Sequence, residues 1–137
     1  MALHPVVLAD LLEVEVEQTR ARLGDRAQDL RREGNYLLVT LRRPDGTWTP
    51  RLDGSRYDAE PFDVALVDDE GEILPADDWI PGFGLGTHPS LNVPWVCVSG
   101  TRGYYAHESH FAERWDAVRY VHRADSLLAH SLTKAGL

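Results

Sequence analysis

The chain has 137 residues, 43% hydrophobic and 26% charged, which fits one globular domain over residues 1–137 and excludes a disordered chain. A formal charge of −8 argues against nucleic acid as the partner, because phosphate-backbone binding needs a basic surface to release counterions. The only cysteine, Cys97, cannot close an internal disulfide, and Met1-Ala2-Leu3-His4-Pro5 has no basic stretch leading into an apolar one, so a cytoplasmic setting is expected.

In chain order, residues 6–23 carry Leu8, Leu11, Leu12, Val16, Thr19 and Leu23 on roughly one helical face, with Glu13, Glu15, Glu17, Arg20 and Arg22 largely elsewhere. This predicts an amphipathic first helix with Pro5 in its first turn and Gly24 at its end. Tyr36-Leu37-Leu38-Val39-Thr40-Leu41 is a β-rich run, and the Pro44-Asp45-Gly46 turn returns the chain along residues 48–52. Phe62-Asp63-Val64-Ala65-Leu66-Val67 alternates with period two, which predicts a further strand and an antiparallel meander.

Residues 72–109 have poor periodicity and many Gly, Pro and Trp, apart from the apolar stretch 93–98. Trp79, Phe83, Trp95 and Tyr104 argue for an ordered loop. Residues 79–101 contain no Asp, Glu, Lys or Arg, yet Pro81, Gly82, Gly84, Gly86, Pro89, Pro94 and Gly100 break any helix that would cross a bilayer, so no membrane partner is expected. Finally, Trp115, Val118, Val121, Leu128 and Leu132 fall at helical spacing, predicting a terminal helix pair or one kinked helix. The fold class expected is α+β.

The chemistry concentrates in His88-Pro89-Ser90-Leu91-Asn92-Val93-Pro94-Trp95-Val96-Cys97-Val98. A cysteine becomes a nucleophile where a cation, a hydrogen bond or a helix N-terminus stabilises its thiolate; elsewhere it is a small buried hydrophobe. His88-Pro89-Ser90 stands nine residues before Cys97, Val96-Cys97-Val98 is an apolar setting for the sulfur, and Tyr57-Asp58-Ala59-Glu60-Pro61-Phe62 precedes the last strand. In this order the chain resembles ubiquitin-conjugating enzymes and their bacterial relatives, whose His-Pro-Asn element precedes a catalytic cysteine and whose third strand is approached through Tyr-Pro-x-x-Pro-Pro.

That resemblance implies a ubiquitin-conjugating-like (UBC-like) fold: N-terminal helix, antiparallel β-meander, long active-site loop and C-terminal helix. It implies a transferase in which Cys97 accepts a ubiquitin-like modifier as a thioester from an activating enzyme and passes it to a protein acceptor, with no cofactor of its own. His88 would organise the loop through bonds from its ring to backbone. The family's asparagine, which stabilises the oxyanion, is replaced by Ser90; Asn92, or a histidine of the His107/His110 pair, would stabilise or deprotonate instead. Further departures are a roughly twenty-residue insertion over 68–87 and a lengthened stretch from Cys97 to Trp115.

A second constellation shares the cysteine. His107 and His110 are three apart, which predicts both imidazoles on one side of a helical turn, and with Glu108 and Cys97 they make four zinc ligands of accepted kinds. The stretch also resembles a small bacterial family, predicted to bind metal through a Cys-Glu-His-His pattern, found beside ubiquitin-like genes; the alternative it implies is a zinc-binding adaptor. A thiolate saturated by structural zinc cannot accept an acyl group, so the two readings compete. An inactive UBC-like binder is the third.

The remaining candidates read as structural. Trp48, Trp79, Trp95 and Trp115 suit packing, His122 and His130 suit solvent-facing helix positions, and His4 adjoins Pro5 near the terminus. Gly82-Phe83-Gly84-Leu85-Gly86 lacks the Lys-Ser/Thr of a phosphate loop, and Ala135-Gly136-Leu137 lacks the Gly-Gly tail expected of a conjugated tag.

Overall fold

The computed structural model describes residues 3–27, 29–57, 59–80, 83–84, 86–118 and 123–134. Asp58, Pro81, Gly82, Leu85, Val121, His122, the first two residues, the ending 135–137 and the side chain of Val118 lie outside the described residues.

Helix α1 spans Pro5–Leu23. Its start is defined by Pro5, which lacks an N–H to leave unpaired, and by the His4 ring, whose Nδ1 accepts the Val6 N–H at 3.2 Å. It stops at Gly24, where φ of 55° is open to glycine and strained for other residues. Leu8, Leu12, Val16 and Leu23 are buried as their spacing predicts. Glu15 is a correction: it is only 2% exposed and sits on the inner face. Its carboxylate accepts the Tyr57 hydroxyl at 2.6 Å and the Arg123 guanidinium at 3.3 Å through one oxygen. The other oxygen accepts the Ala124 N–H at 3.0 Å.

The sheet comprises β1 (Arg31–Glu33), β2 (Tyr36–Leu38), β3 (Leu41–Arg43), β4 (Gly46–Asp53) and β5 (Asp63–Val67), all paired antiparallel. β2 and β3 lie along the same edge of β4, so the single run expected over 36–41 is a strand interrupted at Val39-Thr40. Val39 still donates to the Pro50 carbonyl at 3.2 Å, which keeps the interruption in register. β5 occupies the other edge of β4 and begins at Asp63; Phe62 instead bridges to Thr101. The cross-strand row Leu37–Leu52–Val64 joins Leu8, Leu12 and Val16 of α1 in one hydrophobic cluster. Full burial of one such leucine stabilises by roughly 1.5–3 kcal/mol.

The long loop is ordered by its aromatics. Trp79, Ile80, Phe83, Trp95 and Val96 are buried, and the Trp79 indole N–H donates to the Leu74 carbonyl at 2.9 Å. Three short helical pieces follow: α2 (Arg102–Ala106), a 3-10 turn (Glu108–His110) and α3 (Trp115–Val118). Helix α4 (Ala124–Lys134) buries Ala124, Leu127, Leu128, Ser131 and Leu132, completing an α+β arrangement with terminal helices flanking an antiparallel sheet. His130 is half-buried rather than solvent-facing. Among the described residues, no helix is long and apolar enough to cross a membrane.

Candidate functional site

The loop before the cysteine is built around His88, which is fully buried. Its Nδ1 accepts the N–H groups of Ser90 and Leu91, each at 3.0 Å, and its Nε2 donates to the Gly103 carbonyl at 2.9 Å. Nδ1 carries no proton while it accepts two N–H groups, so the ring is the neutral Nε2–H tautomer. The loop then closes on itself: His88 N–H donates to the Val93 carbonyl at 2.8 Å and Asn92 N–H to the His88 carbonyl at 2.9 Å. Asn92 has φ of 57°, a left-handed conformation that asparagine tolerates better than most residues. Its side chain is exposed and makes no hydrogen bond among the described residues.

The buried imidazole therefore ties the His-Pro loop to α2. Gly103 permits the approach from the other side: a Cβ there would lie 2.7 Å from the Trp95 ring and 3.4 Å from the Val96 carbonyl oxygen. Trp95 in turn meets the His88 ring edge-on at 4.6 Å between centroids. Val96 inserts into the core and Val98 packs against it, which turns Cys97 outward between them. Cys97 is a free, exposed thiol.

The His107 and His110 rings are neighbours, with centroids 6.2 Å apart, but their hydrogen bonds differ. His107 caps the 3-10 turn from outside, its Nδ1 3.2 Å from the Ser109 N–H and 2.7 Å from the Ser109 hydroxyl, with its ring stacked on Trp95 at 5.4 Å. His110 lies within the turn, and its Nε2 is 3.8 Å from Cys97 Sγ. Its Nδ1 is 2.6 Å from Glu113 Oε2, so an Nδ1–H donated to the carboxylate leaves Nε2 free to accept the thiol proton.

Glu113 and Tyr104 complete the cluster. The Tyr104 hydroxyl donates to both Glu113 oxygens, at 2.8 and 3.0 Å, while its ring stacks on His110 with centroids 3.7 Å apart and planes 15° from parallel. The Glu113 carboxyl is held below its ordinary value by the Tyr104 hydroxyl first and by His110 second. The same bond to Glu113 pushes the Tyr104 phenol up to about 12. A thiol, an imidazole and a carboxylate thus stand in succession as Cys97, His110 and Glu113, the arrangement in which a cysteine can be activated.

Of the sequence candidates, Cys97 and His110 come together; His88 supports the loop from inside; Asn92 and His107 serve local turns. Glu108 is exposed at the start of the 3-10 turn. The four proposed zinc ligands are not gathered: among the described residues no group of three or more His, Cys, Asp or Glu side chains is placed to hold a metal ion. The two imidazoles do lie near each other, but the helical turn expected to carry both is corrected, because α2 ends at Ala106 and His107 is extended, with ψ of 137°. Glu113 and Tyr104 were missed. The signal for Glu113 was its spacing of three from His110, the separation at which turns of helix bring side chains together.

Two cavities among the described residues lie elsewhere. One of about 300 Å³ is lined by Leu3, Leu8, Tyr57 and neighbours, another of about 350 Å³ by Thr40, Leu41, Arg42, Leu132 and neighbours. Neither includes a residue of the Cys97 cluster. No protein-family model matches the chain, and no curated protein matches it.

Proposed function

We propose that the chain is a ubiquitin-conjugating-like carrier, in which Cys97 receives the C-terminal carboxyl of a ubiquitin-like modifier as a thioester and passes it to a protein acceptor. The observation that carries this reading is the exposed Cys97 sulfur 3.8 Å from an imidazole whose far nitrogen is fixed by Glu113. A cysteine so paired is suited to attack a carbonyl carbon.

Two features favour a macromolecular acyl group. Cys97 lies at the surface, where an extended peptide end can be laid across it. The order of α1, antiparallel meander, His88-Pro89 loop, cysteine and terminal helix agrees with the UBC-like resemblance, and the buried His88 supplies a rigid floor. In the transfer, Cys97 thiolate attacks the thioester on the activating enzyme; the new C–S bond forms as the old one breaks, and the departing sulfur takes a proton. Adenylation belongs to the activating enzyme, so no nucleotide site is required here.

The test is loading with a cognate modifier, its activating enzyme and ATP. A thiol-sensitive adduct that vanishes in Cys97→Ala supports the proposal. An adduct that survives in Cys97→Ala, or binding of the modifier with no adduct at all, sinks it and leaves a non-covalent binder.

A further inference from the structure

Cys97, His110, Glu113 and Tyr104 make a set more complete than thioester carriage needs. Exchange of an acyl group between two thiols requires only a reachable thiolate. A histidine facing the sulfur, oriented by a carboxylate that is itself clamped by a phenol, provides a base for a nucleophile that must lose a proton as it attacks. Water has access, since Cys97 is exposed and the side chains of His110 and Glu113 are 21% and 49% exposed.

We infer that this site also hydrolyses acyl thioesters, with Cys97 as nucleophile, His110 as general base and Glu113 and Tyr104 as positioning residues. The inference rests on the reading of Cys97 as an acyl acceptor and adds water as a second acceptor. In the first half-reaction the Cys97 thiol proton passes to His110 Nε2, the sulfur attacks the acyl carbon, and the leaving thiolate departs with that proton. In the second, His110 takes a proton from water, the hydroxide attacks the acyl carbon, and the Cys97 C–S bond breaks as the thiolate regains the proton. The sum is thioester plus water giving carboxylic acid plus thiol, with no oxidant, reductant or other co-reactant.

The substrate class follows from the surroundings. An exposed sulfur with a stacked aromatic–imidazole pair beside it suits a slender acyl group, such as a glycyl end laid along the surface, more than a bulky one. Discharge to water would limit the lifetime of the loaded carrier, so the site would reset itself when no acceptor arrives.

The experiment uses the full chain and the 2-mercaptoethanesulfonate thioester of N-acetylglycine. Thiol release and intact mass are followed together, with circular dichroism to verify the fold of each variant. Wild type is expected to release a burst of one thiol per chain and then turn over. His110→Ala and His110→Gln are expected to acylate more slowly yet, once loaded by excess thioester, to hold acyl-Cys97, because a thiol ionises partly unaided while water needs the base, and discharge falls by about 10²–10⁴-fold. Glu113→Gln is expected to slow discharge less and to change its pH profile, which a purely structural role would not do. If acyl-Cys97 forms and discharges equally in wild type and both His110 variants, the hydrolytic inference fails while the carrier reading stands. If wild type shows no acyl-Cys97, both fail.

Discussion

The hydroxyl of Tyr104 spans both carboxylate oxygens of Glu113, at 2.8 and 3.0 Å, while the same ring lies flat against His110. One residue thereby fixes the position of the His110 imidazole and of the carboxylate bonded to it. Tyr104→Phe keeps the stack and removes both hydrogen bonds. The expected result is a native fold with acyl-Cys97 discharge reduced by about 10-fold, between wild type and His110→Ala, because the tautomer-setting carboxylate is loosened and not removed. Single-turnover discharge of the glycyl adduct measures it.

The same pair sets a pH response at both ends of the scale. Glu113 has a depressed folded-state pKa, so its contribution to stability is present above the ordinary value of 4.5 and is lost as pH falls through the folded value. Tyr104 is raised, so its contribution is present below 10.0 and is lost as pH rises toward about 12. Phenolate absorbance should therefore show a step near pH 12, and Tyr104→Phe should remove it.

Glu15 joins three distant segments, accepting from Tyr57, Arg123 and the first N–H of α4. Its negative charge at the start of α4 also complements the helix dipole. Glu15→Ala leaves Arg123 and the Ala124 N–H without this partner and is expected to destabilise by about 3–5 kcal/mol. Tyr57→Phe leaves the ion pair and is expected to lose about 1–3 kcal/mol. Urea unfolding of both variants gives the comparison, and equal losses would refute the ranking.

Gly103 admits the Trp95 ring where any side chain would collide. Gly103→Ala is expected to cost about 1–3 kcal/mol through overpacking. It should also displace Tyr104, the next residue, so thioester discharge should fall further than stability alone explains, as kinetics on the folded fraction would reveal.

Asn92 is expected to act through its backbone. Asn92→Gly keeps the left-handed turn and should retain stability and Cys97 loading, whereas Asn92→Val should destabilise by about 1–2 kcal/mol. Loss of loading in a folded Asn92→Gly protein would instead assign the amide an oxyanion role, for which the loss is of order 10²–10³.

The frame of the molecule was legible where side chains report local geometry. The period of α1, its stop at Gly24, the Pro44-Asp45-Gly46 turn and the alternation into β5 all reflect constraints between near neighbours. β1 was not legible, because Arg31, Arg32 and Glu33 pair through backbone groups that any residue carries. Glu15 falls at a core spacing, yet a carboxylate reads as surface until its partners arrive from 42 and 108 residues away.

By itself the sequence singled out one sulfur, preceded by a His-Pro loop and followed by two histidines, as the candidate centre of chemistry. Only the tertiary structure decided which histidine serves it. His107 is extended ahead of its turn and drawn onto Trp95, while His110 is swung toward Cys97 and clamped by Tyr104 and Glu113. The reason is that a ring's direction depends on where each short helix begins and on which aromatic it meets, and neither is encoded in residue spacing.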